Sequence, residues 1–191
     1  MIEVLEDETI YMNEVQKMKV YIVRHGEVSH NALKVYSNEN EDLNENGIIQ
    51  AKELKRTIED LDYDIIISSP LIRAKHTSMI INAKNKNILI DNRLEERNPG
   101  DLNGKPISYT NREEYWNYYT KIKYGTSENI QDFFRRVYDF LDELKTKNYK
   151  SVLIVAHSGV SKAFSGYFEG IKEGKFLNRG LKNCEIKIYE L

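Results

Sequence analysis

Five short apolar, β-branched runs punctuate this chain, and they limit what it can fold into more than any other feature. They are KVYIVR (19–24), DIIIS (64–68), a brief ILI (88–90), SVLIVA (151–156) and the alternating EIKIYEL (185–191). Runs this continuously apolar read as strands covered on both faces. Helical periods lie between them. Residues 44–58 place Ile48, Ile49, Ala51, Leu54 and Ile58 on one face behind Asn44, a good N-cap residue. Residues 70–83 open on Pro70, whose missing N–H costs nothing at a helix start. Residues 129–144 repeat Ile130, Phe133, Phe134, Val137, Phe140, Leu141 and Leu144 at helical spacing. The alternation predicts an α/β fold, a three-layer sandwich with a mostly parallel sheet and helices on both faces. A length of 191 residues suits one such domain.

Composition removes several classes of function. Lys and Arg number 28 against 30 Asp and Glu, a net charge of -2, and no basic stripe stands out, so nucleic acid is not an expected partner. No apolar run approaches the roughly 20 residues that a membrane span requires. The opening MIEVLEDETI is acidic, unlike a signal peptide, and the single cysteine, Cys184, allows neither an internal disulfide nor a cysteine zinc cluster. These features lead us to expect a cytoplasmic protein without a membrane partner. Residues 1–17 read as an acidic extension, with Met18 as an earlier start, and residues 18–191 as the domain proper. Nothing in the sequence fixes an oligomeric state.

In parallel α/β sheets ligands bind beyond the carboxyl ends of the strands, so the residues following each strand are the ones to inspect. Arg24-His25-Gly26-Glu27 follows the first, Ser68-Ser69-Pro70-Leu71-Ile72-Arg73 the second and His157-Ser158-Gly159 the fourth. One histidine at a strand end is more often a simple hydrogen-bonding residue than a catalyst. Two imidazoles and two guanidiniums gathered at one sheet edge describe a pocket for an anion, because the guanidinium fork fits phosphate bidentately. Gly26 would let the chain approach such a ligand, and the helix after Gly159 would add free N–H groups. Metal binding is the rival use of two histidines. It is disfavoured because the arginines would repel a dication and no acidic cluster accompanies them.

VYIVRHGEVSHN (20–31) resembles the signature of the histidine phosphatase superfamily, the phosphoglycerate mutase-like enzymes. The resemblance extends in order through LNENGIIQA (43–51), SSPLIRAKHT (68–77), RLEERNPGDLNG (93–104) and VLIVAHSGV (152–160) to the closing LKNCEIKIYEL. It implies a phosphoglycerate mutase-like sandwich and a phosphatase working through phosphohistidine. His25 would be the nucleophile. Arg24, Arg73 and His157 would hold the phosphoryl oxygens, with Asn31 a further donor and Ser158 beside His157 in the same phosphate pocket. Glu96 would be the proton donor; its neighbour Glu95 competes, and the spacing to Gly100 favours Glu96. Neither a metal nor a cofactor is implied, since cationic side chains neutralise the phosphate. Val28 stands where the family often has Thr or Ser, and Ser158 where Gly is common. Leu102 departs from the family's usual Trp.

The resemblance assigns substrate choice to the segment after the acid, here a lid over about 105–128 carrying Tyr109, Tyr115, Trp116, Tyr118, Tyr119 and Tyr124 with Arg112, Lys121 and Lys123. Its aromatics either dock the segment on the sheet or wall the leaving-group site. Cofactor-dependent mutases generally carry a longer insertion between the two histidines, so the short lid favours hydrolysis. The expected activity is that of a small bacterial enzyme, α-ribazole phosphatase-like, acting on a small-molecule phosphate monoester. The alternatives are a mutase-type isomerase and a phosphoprotein phosphatase. A dead-site binding module is disfavoured because His25, Arg24, Arg73, Glu96 and His157 are all present. Of the other histidines, His76 reads as structural, and His30 sits next to the pocket residue Asn31.

Overall fold

Alternate residues of the central strands enter two different cores, and this pleat organises the molecule. The structure, a computed structural model, describes residues 17–191. The expected acidic extension therefore lies outside the described residues, apart from Lys17. The strands are β1 (Lys19–Arg24), β2 (Ile65–Ser68), β3 (Ile88–Ile90), β4 (Ser151–Ala156) and β5 (Ile186–Glu190), in the sheet order β3-β2-β4-β1-β5. All neighbours are parallel except β5, which runs antiparallel to β1. Val20, Ile22, Ile65, Ile67, Val152 and Ile154 enter one core, while Tyr21, Val23, Ile66, Leu153 and Val155 enter the other. That is the period of two expected of strands buried on both sides.

The helices are α1 (Ser29–Leu33), α2 (Glu45–Thr57), α3 (Ile72–Ile81), α4 (Arg112–Tyr115), α5 (Ile130–Leu144) and α6 (Ser158–Glu169). α2 and α3 cover one face through Ala51, Leu54, Ala74 and Ile81. α5 and α6 cover the other, α5 through its whole predicted stripe from Ile130 to Leu144 and α6 through Val160, Ala163 and Phe164. The three-layer expectation holds. Asn44 caps α2 by accepting from the Gly47 N–H at 2.7 Å, and Asn129 caps α5 by accepting from Gln131 and Asp132.

Several boundaries move for identifiable reasons. Asp64 lies before β2 rather than in it, because its carboxylate accepts from the Lys150 and Ser151 N–H groups at the start of β4. α3 begins at Ile72, after Ser69 Oγ has accepted from the Leu71 N–H, so Pro70 precedes the helix instead of opening it. It ends at Ile81, where the Asn82 side chain closes a turn by bonding both the N–H and the C=O of Lys86. Ile49 is 54% exposed, outside the apolar face assigned to it, and Gly47 occupies the inward position.

Candidate active site

The strand order reverses between β1 and β4. The chain leaves β1 toward α2 on one face and leaves β4 toward α6 on the other, so their carboxyl ends open a crevice where α/β sheets bind ligands. Arg24 pairs with Ala156 in the β1–β4 register, and the next residue of each strand is a histidine. The two imidazoles lie edge to face with ring centroids 5.0 Å apart. His25 is 3% exposed and His157 is fully buried.

Each imidazole has a defined partner. The His25 ring places Nδ1 2.6 Å from the Gly26 carbonyl, which can only accept, so Nδ1 carries the proton and Nε2 keeps its lone pair. Burial first, then the Arg73 and Arg24 charges, hold His25 well below the usual imidazole pKa. His157 Nε2 lies 2.7 Å from Ser69 Oγ, and its buried Nδ1 has no protein partner. Burial, Arg73 and then His25 hold it low as well. Both rings are neutral at pH 7.

The arginines point fixed donors at the same place. Arg24 Nη1 donates to the Leu181 carbonyl at 3.0 Å and Arg73 Nη1 to the Asn38 carbonyl at 2.7 Å. The Nε of each is buried without a partner. Buried donors are normally satisfied, so two orphaned guanidinium N–H groups around one crevice, beside the unpartnered His157 Nδ1, mark a strong anion-binding position. Asn31 on α1 accepts from Asn183 Nδ2 at 3.2 Å, and Asn183 also donates to the His25 carbonyl at 2.9 Å. That ties Asn31 to the loop of His25. Val28, at the N-cap of α1, is buried and makes no side-chain cap bond.

These groups share a cleft of about 330 Å³ lined by Arg24, His25, Asn31, Arg73, Glu96 and Ser158 among others. Glu96 accepts from the Arg97 N–H at 2.9 Å and from the Gly159 N–H, in the first turn of α6, at 3.0 Å. Glu95 lines only an adjoining hollow of about 250 Å³ that Glu96 also reaches. Glu96 thus reaches both hollows and Glu95 one of them.

Some features were not visible in the sequence. Arg136 on α5 grips the Glu128 carboxylate with Nε and Nη2 while donating to the Arg93, Glu95 and Glu96 carbonyls. It thus clamps the acid loop to the helix, a role its position on the outward side of an apolar stripe does not announce. Gly26 serves a different contact from the one expected. A Cβ there would lie 2.4 Å from the Gly47 carbonyl, so it permits the approach of α2 and not of a ligand. The helix after β4 starts at Ser158, one residue ahead of Gly159.

The 105–128 segment is mostly irregular, and its aromatics divide between core, cleft and surface. Tyr115 and Trp116 are buried in the core and also line the cleft, whereas Tyr109 and Tyr119 are exposed. Of its cations only Arg112 faces the cleft; Lys123 lines a separate hollow. His30 lines the cleft and pairs with Glu41, and His76 pairs with Asp42 at 2.9 Å away from it. Among the described residues no helix is long and apolar enough to cross a membrane.

A doubly covered sheet with two buried histidines, the buried Arg73 and the half-buried Arg24 at its switch point defines a phosphoryl-handling α/β enzyme. Residues 20–191 match the model of the histidine phosphatase superfamily (branch 1), and the chain belongs to that superfamily. Its class of activity is that of a phosphoric monoester hydrolase. It is 31% identical over 174 residues to the uncharacterized phosphatase PhoE of Bacillus subtilis, covering 87% of this chain and 88% of that one. It is 27% identical over 184 residues to phosphoserine phosphatase 1 of Hydrogenobacter thermophilus, covering 91% and 87%. The α-ribazole phosphatase of Shigella flexneri superposes with a TM-score of 0.77 at 25% identity, over 90% of this chain and 89% of that one.

Proposed function

We propose that this protein hydrolyses a small-molecule phosphate monoester without a metal, through a phosphohistidine formed on Nε2 of His25. The observation that carries the reading is the Nδ1–H donation from His25 to the Gly26 carbonyl at 2.6 Å, which leaves Nε2 unprotonated between Arg24 and Arg73. The phosphoryl group is held by Arg24, Arg73, His157, Asn31 and Ser158. Nε2 attacks phosphorus in line, and the ester P–O bond breaks as charge spreads over oxygens facing the arginines. Glu96 gives its proton to the departing alkoxide. It then takes a proton from the water whose oxygen attacks phosphorus and breaks the N–P bond, releasing inorganic phosphate. The two guanidiniums supply the charge neutralisation that a dication would otherwise give.

The test is phosphate release from a panel of esters in excess EDTA, with His25→Ala as control, followed by acid quenching to trap the intermediate. Turnover that survives EDTA and vanishes in the variant, with an acid-labile phosphoenzyme, is the expected result. An acid-stable phosphoserine, or loss of activity to the chelator, would overturn the reading.

A further inference from the structure

The phosphate donors do not account for all the positive charge in the cleft. Six of its lining residues are cationic, Arg24, Lys34, Arg73, Arg97, Arg112 and Lys162, against the carboxylates Glu27 and Glu96. A phosphate dianion answers only part of that surplus. Arg97 is already engaged, donating through Nε to the Glu128 carbonyl and through Nη1 to the Tyr115 carbonyl. Lys34 is exposed at the rim. Lys162 and Arg112 are placed differently.

Lys162 projects from α6 and is 3% exposed. Its Nζ donates to the Leu177 carbonyl at 2.6 Å and sits 5.1 Å from the centre of the Trp116 ring, so two of its three donors are uncommitted. Burial, opposed by Glu96 and reinforced by Arg112, lowers its pKa to about 8. A buried ammonium kept close to losing its charge is costly unless an anion joins it. Arg112 on α4 reaches the Tyr36 hydroxyl at 3.3 Å through Nη1 alone. Trp116, 6% exposed and lining the same cleft, has an indole N–H with no partner.

We propose that Lys162, Arg112 and the Trp116 indole N–H form a second anion subsite for the leaving group, so that the substrate is a phosphate ester whose alcohol part carries a carboxylate. This rests on the hydrolase reading above. A cleft of about 330 Å³ lies at the small end of ligand sites, which suits a short phosphorylated hydroxy or amino acid over a nucleotide or an extended sugar. A second phosphoryl group shares the recognising chemistry and is separated from a carboxylate by experiment.

The test compares phosphoserine with phosphoethanolamine, which lacks only the carboxylate, and ethylene glycol bisphosphate with its monophosphate. p-Nitrophenyl phosphate serves as the ester without a second anion. The wild type is expected to favour phosphoserine over phosphoethanolamine by roughly ten- to a hundredfold in kcat/KM. Arg112→Gln and Lys162→Met should each shrink that ratio, mainly through KM, with a smaller loss on p-nitrophenyl phosphate, while Lys162→Arg retains it. Arg112→Gln decides the matter should Lys162→Met fail to fold. A preference confined to the bisphosphate would replace the carboxylate with a phosphoryl group and overturn that part of the proposal. Equal turnover of the matched esters, or equal losses on all of them, would remove the subsite while leaving the hydrolase intact. Failure of the folded wild type on every ester, p-nitrophenyl phosphate included, would instead remove the hydrolase reading itself.

Discussion

Glu96 and Gly159 are in direct contact, the carboxylate accepting the glycine N–H at 3.0 Å, and a Cβ on Gly159 would fall 1.9 Å from Glu96 Oε1. The first turn of α6 therefore seats the Glu96 carboxylate, and the absence of a side chain at Gly159 is what lets it do so. Gly159→Ala should leave a folded protein with a displaced Glu96. Steady-state assays should show kcat on alkyl esters falling by about 10²-fold, near the usual worth of acid–base assistance. Wild-type rates in that variant would mean that the contact has no part in turnover.

Assignment of the acid rests on a comparison of leaving groups. Glu96→Gln should slow alkyl phosphates far more than p-nitrophenyl phosphate, whose leaving group needs little protonation. Glu95→Gln should change neither by more than a few-fold, since Glu95 lines only the adjoining hollow. The reverse pattern would exchange the two roles.

Arg136 offers a test of positioning at a distance. Removing its fork in Arg136→Leu leaves the Glu128 carboxylate with only the Asn98 N–H and takes the Arg136 donor from three backbone carbonyls of the Glu96 loop. Denaturant midpoints should fall by an amount equivalent to about 1.5–3 kcal/mol, as when hydrogen bonds to a charged group are removed at a half-buried site. In whatever folded fraction remains, the selective loss on alkyl esters should repeat that of Glu96→Gln. An evenly distributed loss would make Arg136 purely structural.

Stability should depend on pH through the two active-site imidazoles. Both are held below the ordinary value, so the unfolded chain takes up protons that the native protein refuses once pH drops beneath about 6.5. Their contribution is fully present above that value and is lost as pH falls toward the native pKa values. Urea midpoints measured from about pH 8 down to about pH 5 should decline below roughly pH 6.5. The decline should be shallower with inorganic phosphate present, because a bound anion favours the charged imidazoles. A flat profile would show that the native rings take up protons as readily as those of the unfolded chain.

Cys184 gives a negative control on the chemistry. Burial pushes its thiol up to about 12, so little thiolate exists at neutral pH and alkylation of the native protein should be far slower than in urea. Activity should persist after exposure to iodoacetamide. Rapid inactivation would put a reactive sulfur near the site.

The elements legible beforehand were those set by a repeating pattern. β1, β3 and β4 begin and end where their apolar runs do, and α5 spans its stripe, because each residue's environment there follows from its neighbours along one element. Arg24, His25, Arg73 and His157 were legible for a related reason, since a parallel sheet gathers its strand ends. What escaped depends on contacts between segments distant in sequence. Arg136 and Lys162 take their surroundings from carbonyls and rings contributed by other elements, and no local period signals them. The sequence marks Gly26 as a point of close approach, but its neighbour is Gly47, a pairing that only the packing of α2 creates.

The pairing of Arg24 with Ala156 carries a consequence for how such an enzyme can change over time. His25 and His157 each stand one step beyond that pair, and the His25 N–H bonds the Ala156 carbonyl at 2.9 Å. Their separation is thus measured out by main-chain bonds that almost any apolar sequence in the two strands would preserve. The walls around the leaving group come instead from an irregular stretch that answers to no ladder. Drift in the one is absorbed without moving the reacting atoms, and drift in the other recasts which ester is accepted, so new specificities can arise on an unchanged chemical step.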